Sequence, residues 1–265
     1  MAGDDYETIT SETTDGIAVI TLRRPDKRNA MNRAMFTELG DAARAAANDP
    51  EARVVLIRGE GPTFCAGIDL TAFGDLMQAS PEELREFIVV AQRPFALLAS
   101  MPRPTVAAVQ GHALGAGFQL ALACDLRLAA EGASFGMLEL NFGIIPDLSG
   151  NHRLAALVGP SRSKELIWTG RRLDAEEAER IGVVNRLVPA EALDKEADEL
   201  VATLRARAPL PVRHVKALAD RAGHDSLEAL MAAEQDAQVE CLSSEDHREA
   251  VAAYFERREP RFTGR

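Results

Sequence analysis

The chain has 265 residues, 46% of them hydrophobic and 27% charged, a composition that excludes disorder and needs no disulfide staple. Its formal net charge of -11 sets the molecule as a whole against nucleic acid and anionic membrane, so a polyanionic substrate requires a local basic patch. Cys65, Cys124 and Cys241 are widely spaced, form no C-x-x-C pair and read as reduced thiols in or near the core, with no metal centre implied. The segment Met1 to Thr10 is acidic and polar, without the basic and apolar regions of a signal peptide. No uninterrupted apolar run approaches the ~18 residues of a membrane span, and the expectation is a cytoplasmic protein.

In chain order, the β-branched run Gly16 to Leu22 predicts a strand that ends at Arg24-Pro25. Asn32 caps a helix over Arg33 to Ala47, closed by Asn48-Asp49-Pro50. Val54 to Ile57 is a wholly apolar strand, and the Gly- and Pro-rich stretch from Gly61 to Leu70 is irregular. Ser80-Pro81-Glu82-Glu83 supplies a cap, a first-turn proline and two acids facing the dipole for a helix to Ser100. Thr105 to Val109 reads as a buried strand, Gly111 to Gly117 as a turn, Phe118 to Ala123 as a buried helix, and Leu126 to Ala129 as a strand. This alternation predicts α/β layering. From Asn151 onward helices dominate (153–158, 161–169, 175–181, 190–208, 212–222, 227–241 and 246–257), interrupted by a strand at Val183 to Val188. The expectation is one body, with an α/β core over 1–195 and a helical C-terminal region over 196–265.

Two glycine-rich turns carry the chemistry. Gly115-Ala116-Gly117 opens a helix that is apolar all round, so its first N–H groups are buried and point their positive end at whatever lies before them. Ala66-Gly67-Ile68-Asp69 likewise follows a buried strand and precedes a helix. Two such N–H groups aimed at one point make an oxyanion hole; the alternative is that the glycines only permit tight packing. A dinucleotide site is excluded because Leu120 stands where a third glycine belongs, and no P-loop, G-x-S-x-G or H-E-x-x-H is present.

Three blocks, Pro25-Asp26-Lys27-Arg28-Asn29-Ala30-Met31, Phe64-Cys65-Ala66-Gly67-Ile68-Asp69-Leu70 and Gly111-His112-Ala113-Leu114-Gly115-Ala116-Gly117, resemble the signatures of the crotonase (enoyl-CoA hydratase/isomerase) family. Cys124-Asp125-Leu126-Arg127 looks like a fourth, and the likeness extends to Pro260-Arg261-Phe262-Thr263-Gly264. The resemblance implies a crotonase-like α/β spiral of β-β-α units with a helical C-terminal trimerisation region, assembled as a homotrimer or a dimer of trimers. It implies an oxyanion hole from the backbone N–H groups of Ile68 and Ala116 and an acyl-CoA thioester substrate. Coenzyme A is then part of the substrate, and no separate cofactor is needed. Lys27, Arg28, Ala30, Ala66 and Asp69 fall where the family contacts coenzyme A, with Lys27 and Arg28 at its head group. The other reading of those two is a solvated loop.

Hydratases of the family place two glutamates around the substrate water. One position here holds Gln119, an amide that can orient a water but cannot exchange a proton near neutral pH. The other matches Glu139, and Asp147 follows where hydratases carry glycine. A glutamate followed by an aspartate at this interval is similar to the dienoyl-CoA isomerases and to the 3-hydroxyisobutyryl-CoA hydrolases. An apolar pocket of Phe135, Met137, Leu138, Phe142, Ile144 and Ile145 would raise both carboxyls and suit a proton shuttle. The structural alternative is that either acid caps a helix or pairs with Arg153. His112 and His152 are expected to pack or line the pocket, Trp168 to lie in the core and Asp125 to be structural. Phe73, Met77, Phe87 and Phe95 are possible pocket liners. Double-bond isomerisation is the leading expectation, ahead of thioester hydrolysis, hydration, and a non-catalytic acyl-CoA or RNA-binding role.

Overall fold

The computed structural model describes residues 6–265, apart from the side chains of residues 72, 73 and 75, so Phe73 lies outside the described side chains. Strands β1 (Ile9–Thr14) and β2 (Ile17–Leu22) form an antiparallel hairpin in the register Ile9↔Leu22 to Thr14↔Ile17. Its two turn residues, Asp15 and Gly16, both have positive φ, as a two-residue hairpin turn with the right twist demands. Helix α1 (Arg33–Asn48) starts where the Asn32 side chain accepts the Met35 N–H. Strand β3 (Val54–Gly59) is followed by α2 (Leu70–Leu76) and α3 (Pro81–Ser100), and α3 begins with a complete Ser80–Glu83 capping box.

Strands β4 (Thr105–Val109) and β5 (His112–Leu114) lead into α4 (Ala116–Ala123), and β6 (Leu126–Ala130) and β7 (Ser134–Gly136) follow it. A 3-10 turn at Glu139–Phe142 precedes α5 (Gly150–Thr169), β8 (Leu173–Asp174), α6 (Ala175–Arg180) and β9 (Arg186–Val188). Four helices complete the chain: α7 (Leu193–Arg205), α8 (Pro209–Arg221), α9 (Leu227–Ser243) and α10 (Glu245–Glu256).

The larger sheet has the order β1-β2-β3-β4-β6-β9, parallel except for the β1–β2 pair. The smaller sheet is β5-β7-β8. Strand β3 is apolar over Val54–Ile57 because both of its faces are covered there: Val55 and Ile57 enter the main core, while Val54 and Leu56 pack with Leu193, Ala197 and Val201 of α7. The division expected at 195/196 therefore falls inside α7, a helix that belongs to the sheet's packing. Helix α8 buries no residue and α9 buries only Ala237, while Leu227, Met231, Tyr254 and Phe255 stand exposed.

The two helices read over 153–158 and 161–169 are present as the two arms of α5, separated at Gly159, whose φ of 78° breaks the helical run before Pro160. Two expectations are corrected. The strand read over 183–188 is regular only at Arg186–Val188, because Arg127 takes the Val183 carbonyl out of the ladder. Trp168 is 68% exposed and not in the core: α5 turns its Leu166 and Ile167 inward instead.

Buried α4 ends against a buried guanidinium. Arg127 Nη1 donates to the carbonyls of Ala121 (3.3 Å) and Cys124 (2.6 Å), and Nε donates to Val183 (2.6 Å). A cation there satisfies the carbonyl of the C-cap residue Cys124, shares that of Ala121 with the Cys124 N–H, and complements the negative end of the helix dipole. Asp125, expected to be structural, accepts from Thr105 and pairs with Lys216 at 2.8 Å. Replacing Arg127 with Met leaves the buried Cys124 and Val183 carbonyls without this donor, and urea denaturation is expected to show a loss of about 2–4 kcal/mol; a loss below about 1 kcal/mol would contradict this role.

Candidate active site

The loops that follow β3 and β4 meet at the carboxyl edge of the parallel strands, where open α/β sheets place their sites. Bridges Met31↔Ile68 and Cys65↔Ala113 stitch three chain segments side by side there. The Met31 N–H donates to Gly67, the Asp69 N–H to Met31, and the Leu114 N–H to Cys65. Gly115 has φ 51° and ψ -121°, a conformation closed to side-chain-bearing residues, and this bend starts α4. Gly67 is required by close approach: a Cβ on it would lie 3.0 Å from the Leu114 carbonyl oxygen and 3.9 Å from the Ala116 N.

Neither the Ile68 N–H nor the Ala116 N–H donates to any group among the described residues. Around them the backbone donors are used: Gly115 N–H bonds Gly136, and Gln119 N–H bonds Gly115. Two free amide donors in adjoining turns, one at the positive end of a wholly buried helix, can hold an oxygen that carries developing negative charge.

Glu139 enters the same place from the 3-10 turn. Its Oε1 is 3.4 Å from where a Gly115 Cβ would stand, so the carboxyl lies against the turn that opens α4. It is buried, its Oε1 accepts from Gln119 Nε2 at 2.8 Å, and its Oε2 has no hydrogen-bond partner. Burial pushes this carboxyl above the ordinary carboxylate range, and the nearby Asp147 charge adds to the push against the opposing pull of the Gln119 amide. Asp147 is half-buried, and desolvation raises it as well. Arg153, its alternative partner, is occupied with Ser149 Oγ. The structure thus brings Gln119 and Glu139 together beside Gly115, with Asp147 near enough for its charge to act on Glu139.

The remaining residues named from sequence surround this centre. Lys27 and Arg28 are exposed at the end of the 3-10 turn Pro25–Lys27, and the Arg28 carbonyl accepts the Ala66 N–H at 3.0 Å. Ala30 and Ala66 are half-buried beside it. Asp69 is buried and clamped by Arg24 (2.9 Å) and Thr71 (2.7 Å), and these bonds hold its pKa at about 2. His112 is half-buried with Nδ1 on Ser134 Oγ, while His152 is exposed and stacked on His224.

The expected apolar surround of the carboxyls is only partly present. Phe135 and Met137 are buried, but Phe142, Ile144 and Ile145 face outward, because the turn at Glu139–Phe142 directs one side chain in and the next ones out. Of the suggested pocket liners, Phe87 and Phe95 pack on Phe36 in the core and Met77 is exposed.

Three polar residues of the site escaped the sequence reading. Arg24 clamps Asp69, Gln92 Nε2 of α3 donates to the Asp147 carbonyl at 2.7 Å, and Asn151 donates to the Pro146 carbonyl at 2.5 Å. The Arg24 and Gln92 contacts span 45 and 55 residues of chain, and no local pattern announces them.

This fold and this juxtaposition define a class. The family described as "Enoyl-CoA hydratase/isomerase" matches residues 12–265, and the chain belongs to that family. Among relatives it is 37% identical over 258 residues to a crotonyl-CoA hydratase of Syntrophomonas wolfei, covering 97% of this chain and 98% of the other. Its fold superposes with a TM-score of 0.92 on an enoyl-CoA hydratase from Bacillus anthracis, at 32% identity, covering 98% of this chain and 100% of the other. A Thermobifida fusca relative solved in complex with acetoacetyl-CoA gives a TM-score of 0.82 at 38% identity, over 89% of this chain and 95% of that one. The mixed α/β core with its helical C-terminal part is thus the crotonase fold. Among the described residues no helix is long and apolar enough to cross a membrane, and no group of three or more His, Cys, Asp or Glu side chains could hold a metal.

The raised carboxyls have a consequence for stability. Folding disfavours their charged forms, so the stability they contribute is present below the ordinary carboxylate range and lost as pH rises through their raised values. Glu139→Gln and Asp147→Asn are each expected to raise the urea midpoint at pH 8. That gain should shrink toward zero near about pH 4, where the unfolded-state carboxylates take up protons. A lower midpoint at pH 8 would contradict the direction of these shifts.

Proposed function

We propose that this chain binds an enoyl-CoA thioester with its carbonyl oxygen on the N–H groups of Ile68 and Ala116 and shifts its double bond by proton transfer through Glu139 and Asp147. The observation that carries the reading is the raised carboxyl of Glu139, set against the turn that presents the free Ala116 N–H, with the raised carboxyl of Asp147 near enough for its charge to act on it. A thioester oxygen held by two backbone donors makes the neighbouring C–H acidic, because the enolate charge is stabilised as it forms. A carboxyl whose pKa is raised toward neutrality can then take that proton and return it at another carbon. Exposed Lys27 and Arg28, beside Ala66, would meet the phosphates of coenzyme A and supply the local basic patch that a chain of net charge -11 requires. The acetoacetyl-CoA bound by a relative supports this substrate class. Exposed apolar residues on α9 and α10, such as Leu227 and Phe255, support assembly into the trimers implied by the family resemblance.

Hydration is the second reading, favoured by the names of relatives such as the crotonyl-CoA hydratase. In that case Asp147 would take over the water-handling work that Gln119 cannot do. Reaction products in deuterated water separate the two. With 2-enoyl-, 3-enoyl- and 3,5-dienoyl-CoA as substrates, a double-bond shift with deuterium uptake is expected by mass spectrometry. The rate should fall by about 10²-fold or more in Glu139→Gln and Asp147→Asn. Addition of water would overturn isomerisation in favour of hydration, and release of free coenzyme A would overturn both.

A further inference from the structure

Gln119 is buried to 1% exposure, and both polar atoms of its amide are hydrogen-bonded. Its Oε1 accepts the backbone N–H groups of Leu148 (2.9 Å) and Gly150 (3.0 Å), while its Nε2 donates to Glu139 Oε1 at 2.8 Å. Two N–H donors can only meet the carbonyl side of the amide, so its orientation is fixed and the NH₂ side must face Glu139. The two N–H groups flank Ser149, whose φ of 71° is left-handed and uncommon for a residue with a side chain. That conformation turns the N–H groups on either side of Ser149 toward one oxygen, the arrangement of a backbone nest. The nest lies directly after Asp147.

We propose that Gln119 is a positioning residue that ties Glu139 to the Asp147 loop through one amide, leaving Glu139 Oε2 as the oxygen that takes and returns the proton. Oε1 receives the Gln119 N–H, whereas Oε2 is buried and has no partner, so a proton on Glu139 resides on Oε2. Because the amide donates, Glu139 keeps an accepting oxygen beside it and can hold its negative charge. A carboxylate at 119 would still fill the nest, since an anionic oxygen suits two N–H donors at least as well. Its second oxygen would then meet Glu139 Oε1 at the distance now spanned by a hydrogen bond, and the two carboxyls would have to share a proton. The residue type at 119 therefore sets whether Glu139 titrates alone or as half of a dyad.

This inference rests on the proton-transfer role assigned above to Glu139, and its deciding readout, the Glu139 titration, needs no turnover. Protein labelled with carbon-13 at the glutamate carboxyl is titrated by NMR, with Glu139→Gln identifying the Glu139 signal. Gln119→Glu is expected to fold normally and to raise the Glu139 titration by about one unit or more. Gln119→Met, which removes the donated N–H, should raise it by a smaller amount. In the deuterated-water assay the acidic limb of the rate profile should move with the titration in Gln119→Glu. In Gln119→Met kcat should fall roughly tenfold or more, with KM within about threefold of wild type. If Gln119→Met does not fold, the titration and rate profile of Gln119→Glu decide alone. A Glu139 titration unchanged in the folded variants overturns the proposal, whatever the activity. Normal titration shifts in a protein that turns over none of the thioesters would instead count against the reaction proposed above and leave the positioning role standing.

Discussion

Helix α4 is short, and all eight of its residues are buried, a placement that constrains everything around it. A helix in that position cannot use water to satisfy its ends. Its carboxyl end is met by Arg127, whose guanidinium takes carbonyls from Ala121 and Cys124 while tying down Val183. Its amino end is left open at Ala116, and the bend at Gly115 aims that end at the loop carrying Gly67 and Ile68. The free N–H at one end and the buried cation at the other are two consequences of the same burial.

The acids follow from the same geometry. Glu139 lies against the Gly115 turn in a place dry enough to raise its pKa, and Asp147, half-buried nearby, raises it further. Gln119, one turn into α4, holds the first of these by its carboxyl and the second by the backbone that follows it. Asp69, the residue next to Ile68, shows the opposite arrangement. Paired with Arg24 and bonded by Thr71, it is held near pKa 2 and remains charged, which suits a residue that clamps a loop and not one that trades protons. Environment, not residue type, separates the carboxyls that can shuttle protons from the one that cannot.

Much of the fold was legible because local physics fixed it. The Ser80 capping box, the Asn32 cap and the apolar run at 54–57 each specify their element without reference to the rest of the chain. Strand β1 was missed because Ile9–Thr14 is largely polar and lies at the edge of the sheet, where only one neighbour is needed. The start of α4 was read two residues late because glycine is a poor helix former, although Gly117 is inside the helix. Trp168 was misplaced because residue type was weighed above helical facing: its neighbours Leu166 and Ile167 supply the buried side of α5. At the site, the family-like blocks pointed to two turns that the structure sets side by side. The bonds of Gln119 and Gln92 join segments distant in sequence, so which atoms of the acids remain free was visible only in three dimensions.

The central claim is that the Ile68 and Ala116 N–H groups polarise a thioester carbonyl. The most direct test is the vibrational spectrum of a carbon-13-edited acyl-CoA bound to the protein, made on Glu139→Gln so that the ligand does not react. The account predicts that the thioester C=O stretch moves to lower frequency on binding than in water, as two charge-stabilising donors require. A bound carbonyl that absorbs at or above its frequency in water would mean that the free N–H groups do not hold this oxygen, and would contradict the account.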